Sequence, residues 1–356
     1  MLPGRSYRAY LLRLRYSSFR EILYRLKQEL LTMRLRRLSY DKGRLDAAIM
    51  PPPGDFSIDH LELPDFSFNT DDAIVQRLVE GGCFTLNGDR HAIEQFERAS
   101  TGKFYADITI DQSGPDIRMV WEPARLQHVT VLLLYGLLKQ PGAETRQGRI
   151  KAKDAVLQWI RKNPFLTGPH YMSPMECGLR IPVFFYALKI LDDLTPEQRR
   201  EIIDAIYLHA WLVSKRLSLF SSLGNHTVCE CIGLIFAGAV FSSLPIGPSW
   251  LNAGYALLSD ELGHQVLDDG GPAEQSLTYH RFVLDLYWLA VGFLKKNRLY
   301  ACENFMPHLL MGEEFLDTFR DHSGHLPAIG DSDDGTAVAP GIRASIKVSE
   351  YQSVRV

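Results

Sequence analysis

Residues 181–188, Ile181-Pro-Val-Phe-Phe-Tyr-Ala-Leu188, and residues 232–241, Ile232-Gly-Leu-Ile-Phe-Ala-Gly-Ala-Val-Phe241, decide the fold. Both runs are apolar around most of a helix's circumference, so each must be covered on more than one side. That requirement suits a two-layered ring of helices better than a simple bundle. Neither run approaches the ~18 uninterrupted apolar residues of a bilayer span, so no transmembrane segment is expected. Outward from them, helical periodicity continues near 123–139, 146–162, 174–192, 196–220, 226–242, 248–268, 273–296 and 303–320. Gly142, Asn163-Pro164, Thr195-Pro196, Gly224, Gly270-Gly271-Pro272 and Gly324 punctuate these segments, as stop signals should. No fixed-period repeat is present, which argues against a regular solenoid.

The composition agrees with a folded protein with a sizeable core. The 356 residues are 46% hydrophobic and 23% charged. Lys plus Arg number 39 against 42 Asp plus Glu, a net charge of −3, which argues against a nucleic-acid partner. The five cysteines are scattered and odd in number, and Cys229 and Cys231 sit two apart within a helical run. Their side chains therefore point to different faces, and buried thiols are expected rather than a redox pair or a zinc knuckle.

Four stretches differ in character. Residues 1–50 form a basic amphipathic helical arm: the first forty hold ten Lys or Arg and only Glu21 and Glu29 as acids. Leu11, Leu14, Ile22, Leu26, Leu30 and Met33 recur there at helical spacing. Two readings stand, a stripe docked on the main domain or a contact with a membrane surface or polyanion. No apolar core of a signal peptide is visible near the start, so a cytoplasmic location is expected, with the periplasm as the alternative. Residues 51–120 read as an irregular linker region packing on the helices, with short strands at Cys83-Phe-Thr-Leu and Tyr105-Ala-Asp-Ile-Thr-Ile. Residues 121–330 are the helical domain. Residues 331–356 read as the start of a truncated β domain, with Ile346, Val348, Val354 and Val356 as strand positions.

Three polar clusters interrupt the apolar helices at their starts. They are Trp121-Glu122-Pro-Ala-Arg125-Leu-Gln-His128, Ser173-Pro-Met-Glu176-Cys-Gly-Leu-Arg180, and Gly224-Asn225-His226-Thr-Val-Cys-Glu230 taken with Glu274-Gln275-Ser-Leu-Thr-Tyr279-His280-Arg281. In a ring of helical hairpins such starts converge on one rim, where helix N-termini favour anionic groups.

In order and spacing these phrases, with Gly330-Asp-Ser-Asp-Asp-Gly335, resemble the heparinase II/III family of polysaccharide lyases over residues 100–335. The resemblance implies a mainly α chain, an incomplete α/α toroid, followed in that family by a large antiparallel β-sandwich. Only about twenty residues follow Gly335, so a separate β-domain chain is an expected partner. It further implies β-elimination on an uronic-acid polysaccharide or oligosaccharide, with Asn225, His226 and Tyr279 as the catalytic residues. Glu122, Arg125, Glu176, Arg180, Glu230, Glu274 and His280 are the expected substrate contacts. No cofactor and no metal are expected; the run Asp331-Ser-Asp333-Asp334 reads as a hinge that caps turns.

The chemistry gives independent reasons for these residue types. Elimination removes the sugar's C5 proton beside a carboxylate, and the carbanion is inaccessible while that carboxylate keeps its full charge. A neutral amide such as Asn225, with a cationic partner such as His226, can hold the carboxylate and stabilise the anion. Tyr279 could take the C5 proton and protonate the departing glycosidic oxygen, if a cation such as His226 or Arg180 lowers its pKa from about 10. Structural roles compete with each assignment. Asn225 could be an N-cap, His226 and Glu230 a helix-surface pair, and Glu122, Arg125, Glu176 and Arg180 internal ion pairs. The functional alternatives are a non-catalytic toroid that binds polysaccharide as an accessory protein, and a glycoside hydrolase using two facing carboxylates from Glu176, Glu230 and Glu274.

Overall fold

A computed structural model describes residues 17–51, 54, 56–68, 83–86, 89–92, 102–110, 116–138, 142–220, 223–331 and 335–345. The chain divides into two compact units, Met1–Met50 and Pro51–Val356.

The first unit contains helices α1 (Phe19–Ser39) and α2 (Lys42–Ile49). Ser18 starts α1 by accepting the Glu21 amide at 3.2 Å, and Asp41 starts α2 by accepting the Arg44 amide at 3.1 Å. Glu21 in the first turn of α1 and Arg36 and Arg37 in its last complement the helix dipole. Leu11 and Leu14 of the expected stripe lie outside the described residues.

In the second unit, α3 (Arg118–Trp121) leads into a ladder of helical hairpins: α4 (Gln127–Leu138) with α5 (Ala143–Lys162), and α6 (Pro174–Ile190) with α7 (Pro196–Lys215). After them come α8 (Asn225–Val240) with α9 (Ile246–Gln265), and α10 (Leu277–Lys296) with α11 (Met306–Phe319). The first helices of the pairs pack on one another in the order α4, α6, α8, α10, and each second helix covers the one before it. This is the expected two-layered, incomplete α/α toroid. The layers explain the sequence patterns. In α6 only Pro174 and Lys189 escape burial, and in α8 only His226 does, whereas the outer α7 keeps a strip of Glu201, Asp204, Leu208 and Trp211 only half-buried.

Aromatic packing joins the inner layer. The rings of Phe236 (α8) and Phe293 (α10) stack at 3.9 Å, and Phe185 (α6) meets them edge-on at 5.5 and 5.4 Å. Each such fully buried ring contributes roughly 1.5–3 kcal/mol. Helices α6 and α8 cross where neither has a side chain. A Cβ on Gly178 would lie 2.6 Å from the Cys229 carbonyl oxygen, and one on Gly233 would lie 2.7 Å from the Gly178 Cα.

Among the described residues there are four short strands, β1 (Phe66–Phe68), β2 (Cys83–Leu86), β3 (Asp89–Ala92) and β4 (Ile342–Ala344). Strands β2 and β3 form an antiparallel hairpin, while β1 pairs antiparallel with β4 in the register Phe66↔Ala344. Arg343 ties that second pair to α10 and α11 through Asp285 and Glu313. The segment before β1 also lies on the helices: Phe56 packs edge-on against Phe241, and the Glu62 amide donates to Asn297 at 2.7 Å. Residues Tyr105–Asp107 are a single helical turn and not a strand. The Tyr105 amide donates to the Leu166 carbonyl at 2.9 Å, so this backbone is held by a loop and has no sheet to join. Ile346, Val348, Val354 and Val356 lie outside the described residues.

Candidate functional site

The starts of α4, α6, α8 and α10 are linked to one another by side-chain contacts. Arg125 closes the turn Pro123–Arg125, and Leu126 in the left-handed region (φ 60°) swings the chain into α4. The Arg125 guanidinium grips Glu176 in the first turn of α6 with both arms, Nε to Oε2 at 2.9 Å and Nη2 to Oε1 at 2.8 Å. Both side chains are buried. Burial by itself would raise the Glu176 carboxyl, but the guanidinium outweighs it and holds the group below its ordinary value. His226, the one unburied residue of α8, feels the same pair. Burial lowers its pKa, Glu176 raises it and Arg125 lowers it, and the net direction is down. Burial therefore disfavours the cationic form of His226 expected from the sequence.

Asn225 opens α8, and its amide is held from across the rim. Its backbone N–H donates to Glu274 Oε1 at 2.8 Å, and its Nδ2 donates to Oε2 at 3.0 Å and Oε1 at 3.3 Å. Gly224, with φ of +97°, occupies the N-cap position; a Cβ there would stand 2.3 Å from Glu274 Oε1. Glu274 thus replaces a capping side chain, and Asn225 is not the N-cap. One edge of the carboxamide is fixed while its Oδ1 makes no bond to Glu274. Burial raises the Glu274 carboxyl, and the two Asn225 bonds pull it back only in part.

Helix α10 begins at Ser276, whose hydroxyl accepts the Tyr279 amide at 3.3 Å and donates to the Asp331 carbonyl. The Tyr279 hydroxyl donates to Asp331 Oδ2 at 3.3 Å. The Leu277 amide bonds the Ile329 carbonyl, Arg281 donates to the Gly335 carbonyl at 3.1 Å, and Gln127 of α4 donates to the Thr336 carbonyl at 2.5 Å. Asp331, Gly335 and Thr336 therefore lie at the starts of α10 and α4. Asp333 and Asp334 lie outside the described residues. Among the described residues no group of three or more His, Cys, Asp or Glu could hold a metal ion.

Three expected substrate contacts have other work. Arg180, one turn further along α6 than Glu176, is 0% exposed. Its guanidinium lies 4.7 Å from the Trp159 ring, and its Nε donates to His209 Nε2 at 3.1 Å. His209 can accept because its Nδ1 donates to the Ala205 carbonyl at 2.7 Å. Arg180 thus braces α5, α6 and α7, and is neither a substrate contact nor a cation for Tyr279. Glu230, also 0% exposed, accepts the Ser218 amide and hydroxyl at 2.7 Å each, so it does not pair with His226. His280 is buried, bonds the Gly270 carbonyl at 2.8 Å and packs edge-on against Phe315; burial pushes its pKa down to about 4. Glu122 is buried beside Trp121, whose indole donates to the Pro169 carbonyl at 2.9 Å. Of the expected catalytic residues, Asn225, His226 and Tyr279 all stand at helix starts on this rim. Gln127 and the Asp331–Tyr279 contact were missed; the signal for the latter was an acid in a turn-rich passage, which reads as local capping.

Glu230 carries a pH prediction. Burial raises its carboxyl to about 7, against the pull of Ser218. The folded state then holds a proton that the unfolded chain has released, so stability falls as pH rises from the ordinary glutamate value to about 7, and is level above that. Glu230→Gln should flatten that slope, on the order of 1–3 kcal/mol by urea denaturation at the two ends of the window.

Comparison with known proteins supports the architecture. Residues 152–309 match the family description Heparinase II/III N-terminus. A heparin-sulfate lyase of Bacteroides stercoris is 25% identical over 185 residues, 46% of this chain and 26% of that protein. The heparin-sulfate lyase of Pedobacter heparinus is 28% identical over 148 residues, 40% of this chain and 22% of that protein. The chain thus spans about a quarter of the length of the curated relatives it matches. The crystal structure of heparan sulfate lyase HepC from Pedobacter heparinus shares the fold, with a TM-score of 0.50 at 18% identity, over 77% of this chain and 42% of that one.

Proposed function

We propose, from the match of residues 152–309 to the heparinase II/III N-terminal family and the likeness to heparin-sulfate lyases, that this chain cleaves a uronic-acid polysaccharide by β-elimination at the rim where α4, α6, α8 and α10 begin. The observation that carries the reading is the clamp of Glu274 on Asn225, at the same rim as His226 and Tyr279. A carboxamide so held needs no reorganisation when charge develops on the substrate carboxylate.

The uronate carboxylate lies against the Asn225 amide and the His226 imidazole at the N-terminal ends of the helices. A neutral His226 N–H donates to it, and Asn225 donates the Nδ2 hydrogen that its contact with Glu274 leaves free. The approaching anion would also draw the His226 pKa upward, strengthening the contact. With its own phenolic proton handed to Asp331, Tyr279 removes the C5 proton. The C4–O bond breaks and its electron pair leaves with the oxygen, while the C5–H pair becomes the C4–C5 double bond. The proton passes from Tyr279 to the departing oxygen, and Asp331 returns its proton at the end of the cycle. Asp331, accepting from the phenol, sets the ring's position before the sugar arrives.

The test is incubation of the full chain with heparan sulfate and with alginate, followed at the ultraviolet absorbance of the new conjugated double bond. Asn225→Asp keeps the side chain's shape but sets a second carboxylate against Glu274 and the uronate. The rate should fall roughly 10²–10³-fold, and the like charges should also lower the thermal unfolding temperature, so the rates are compared well below it. Equal rates in the two proteins would remove Asn225 from the chemistry.

A further inference from the structure

We propose that the exposed face of α1 binds an anionic phospholipid surface. Phe19, Leu23, Leu26, Leu30 and Met33 follow one another at spacings of four, three, four and three residues, which places them in one row along the helix. All five are exposed, Phe19 at 80% and Leu30 at 63%. The stripe expected from the sequence ran through Ile22, which is half-buried; the row on view is displaced to Leu23 and Phe19.

Charge follows the row. Arg20, Lys27 and Arg34 each stand one position after Phe19, Leu26 and Met33, about 100° round the helix, so they line a single edge. Arg37 continues the row itself. All four are exposed, and among the described residues none of the four is in an ion pair. Within Phe19–Ser39 six Lys or Arg face two Glu, and Arg5, Arg8, Arg13 and Arg15 precede the helix in the sequence.

This combination selects the partner. A hydrated polyanion such as a polysaccharide would satisfy the arginines but offers no apolar phase to Phe19 and Leu30. A second copy of the helix would satisfy the leucines but would bring two cationic edges together. A membrane with anionic headgroups satisfies both, with the apolar side chains at the acyl boundary and the long cationic ones reaching the phosphates. No helix among the described residues is long and apolar enough to cross a membrane, so the contact is with its surface. The inference stands apart from the lyase reading.

The experiment is flotation of the full chain with vesicles of equal parts phosphatidylglycerol and phosphatidylcholine, and with vesicles of phosphatidylcholine alone. The protein should float with the first and not with the second. Leu26→Glu with Leu30→Glu, and separately Arg20→Glu with Lys27→Glu and Arg34→Glu, should each weaken binding about tenfold or more. These positions are exposed, so circular dichroism should show the fold intact. Absence of flotation with the anionic vesicles overturns the proposal. So does flotation that survives the leucine substitutions, which would mark a plain polyanion contact. A dimer that the leucine substitutions dissolve, without vesicle binding, would assign the face to a second copy instead.

Discussion

Tyr279→Phe should lower the rate of double-bond formation roughly 10²–10⁴-fold while leaving the affinity for polysaccharide nearly unchanged. The substitution removes one oxygen from a half-buried ring whose helix is started independently by Ser276. The backbone at Tyr279 and the clamp on Asn225 are untouched, because Glu274 bonds Asn225 and not the phenol. What is lost is the atom that takes the C5 proton and returns it to the leaving oxygen, an interaction made in the transition state alone. The loss should therefore appear in kcat with KM little changed. Steady-state kinetics on one uronate polymer, with a binding isotherm for the same polymer, check this. A variant that keeps its kcat would assign the proton transfer elsewhere.

Arg125→Ala should destabilise the second unit by about 3–5 kcal/mol. Glu176 is 1% exposed, and both its oxygens are taken by the Arg125 guanidinium. Without that partner the carboxylate is left charged among apolar helices or must take up a proton, and either outcome costs free energy. The same logic gives a control. Arg125→Met combined with Glu176→Leu removes both charges together, and should recover most of the loss because no ion is stranded. Chemical denaturation of the three proteins measures it. If Arg125→Ala unfolds at the denaturant concentration of the parent, the pair does not brace the rim.

Much of the helical architecture was legible because its causes are local. Thr195-Pro196 starts α7 with a hydroxyl that accepts the Gln198 amide, and Asn163 ends α5, both visible as sequence punctuation. The all-apolar runs of α6 and α8 announced that these helices are covered on every side, and they form the inner layer. The convergence of helix starts was partly legible too, since polar residues in an otherwise apolar helix need partners, and Glu176 and Asn225 find theirs across the helix starts.

Side-chain direction was not legible. Glu176 and Arg180 differ by one turn of α6, yet one joins the rim and the other is sealed against Trp159 and His209. Glu230 and Glu274 are the same residue type near the same helix start, yet one closes a buried loop and the other grips Asn225. Each outcome depends on a partner far along the chain, as do the pairing of β1 with β4 and the contact of Tyr279 with Asp331. The helical turn at Tyr105–Asp107 likewise reflects a loop some sixty residues away and not its own strand-like pattern.

Degradation of a defined uronate oligosaccharide, with the fragments weighed by mass spectrometry, puts the reaction at the α8–α10 rim to the most direct test. Elimination adds no water, so the fragment masses should sum to that of the parent, with one unsaturated end. Fragments that together exceed the parent by one water, with no unsaturated end, would show hydrolysis. That result, or an intact oligosaccharide after incubation with folded protein, would contradict the account.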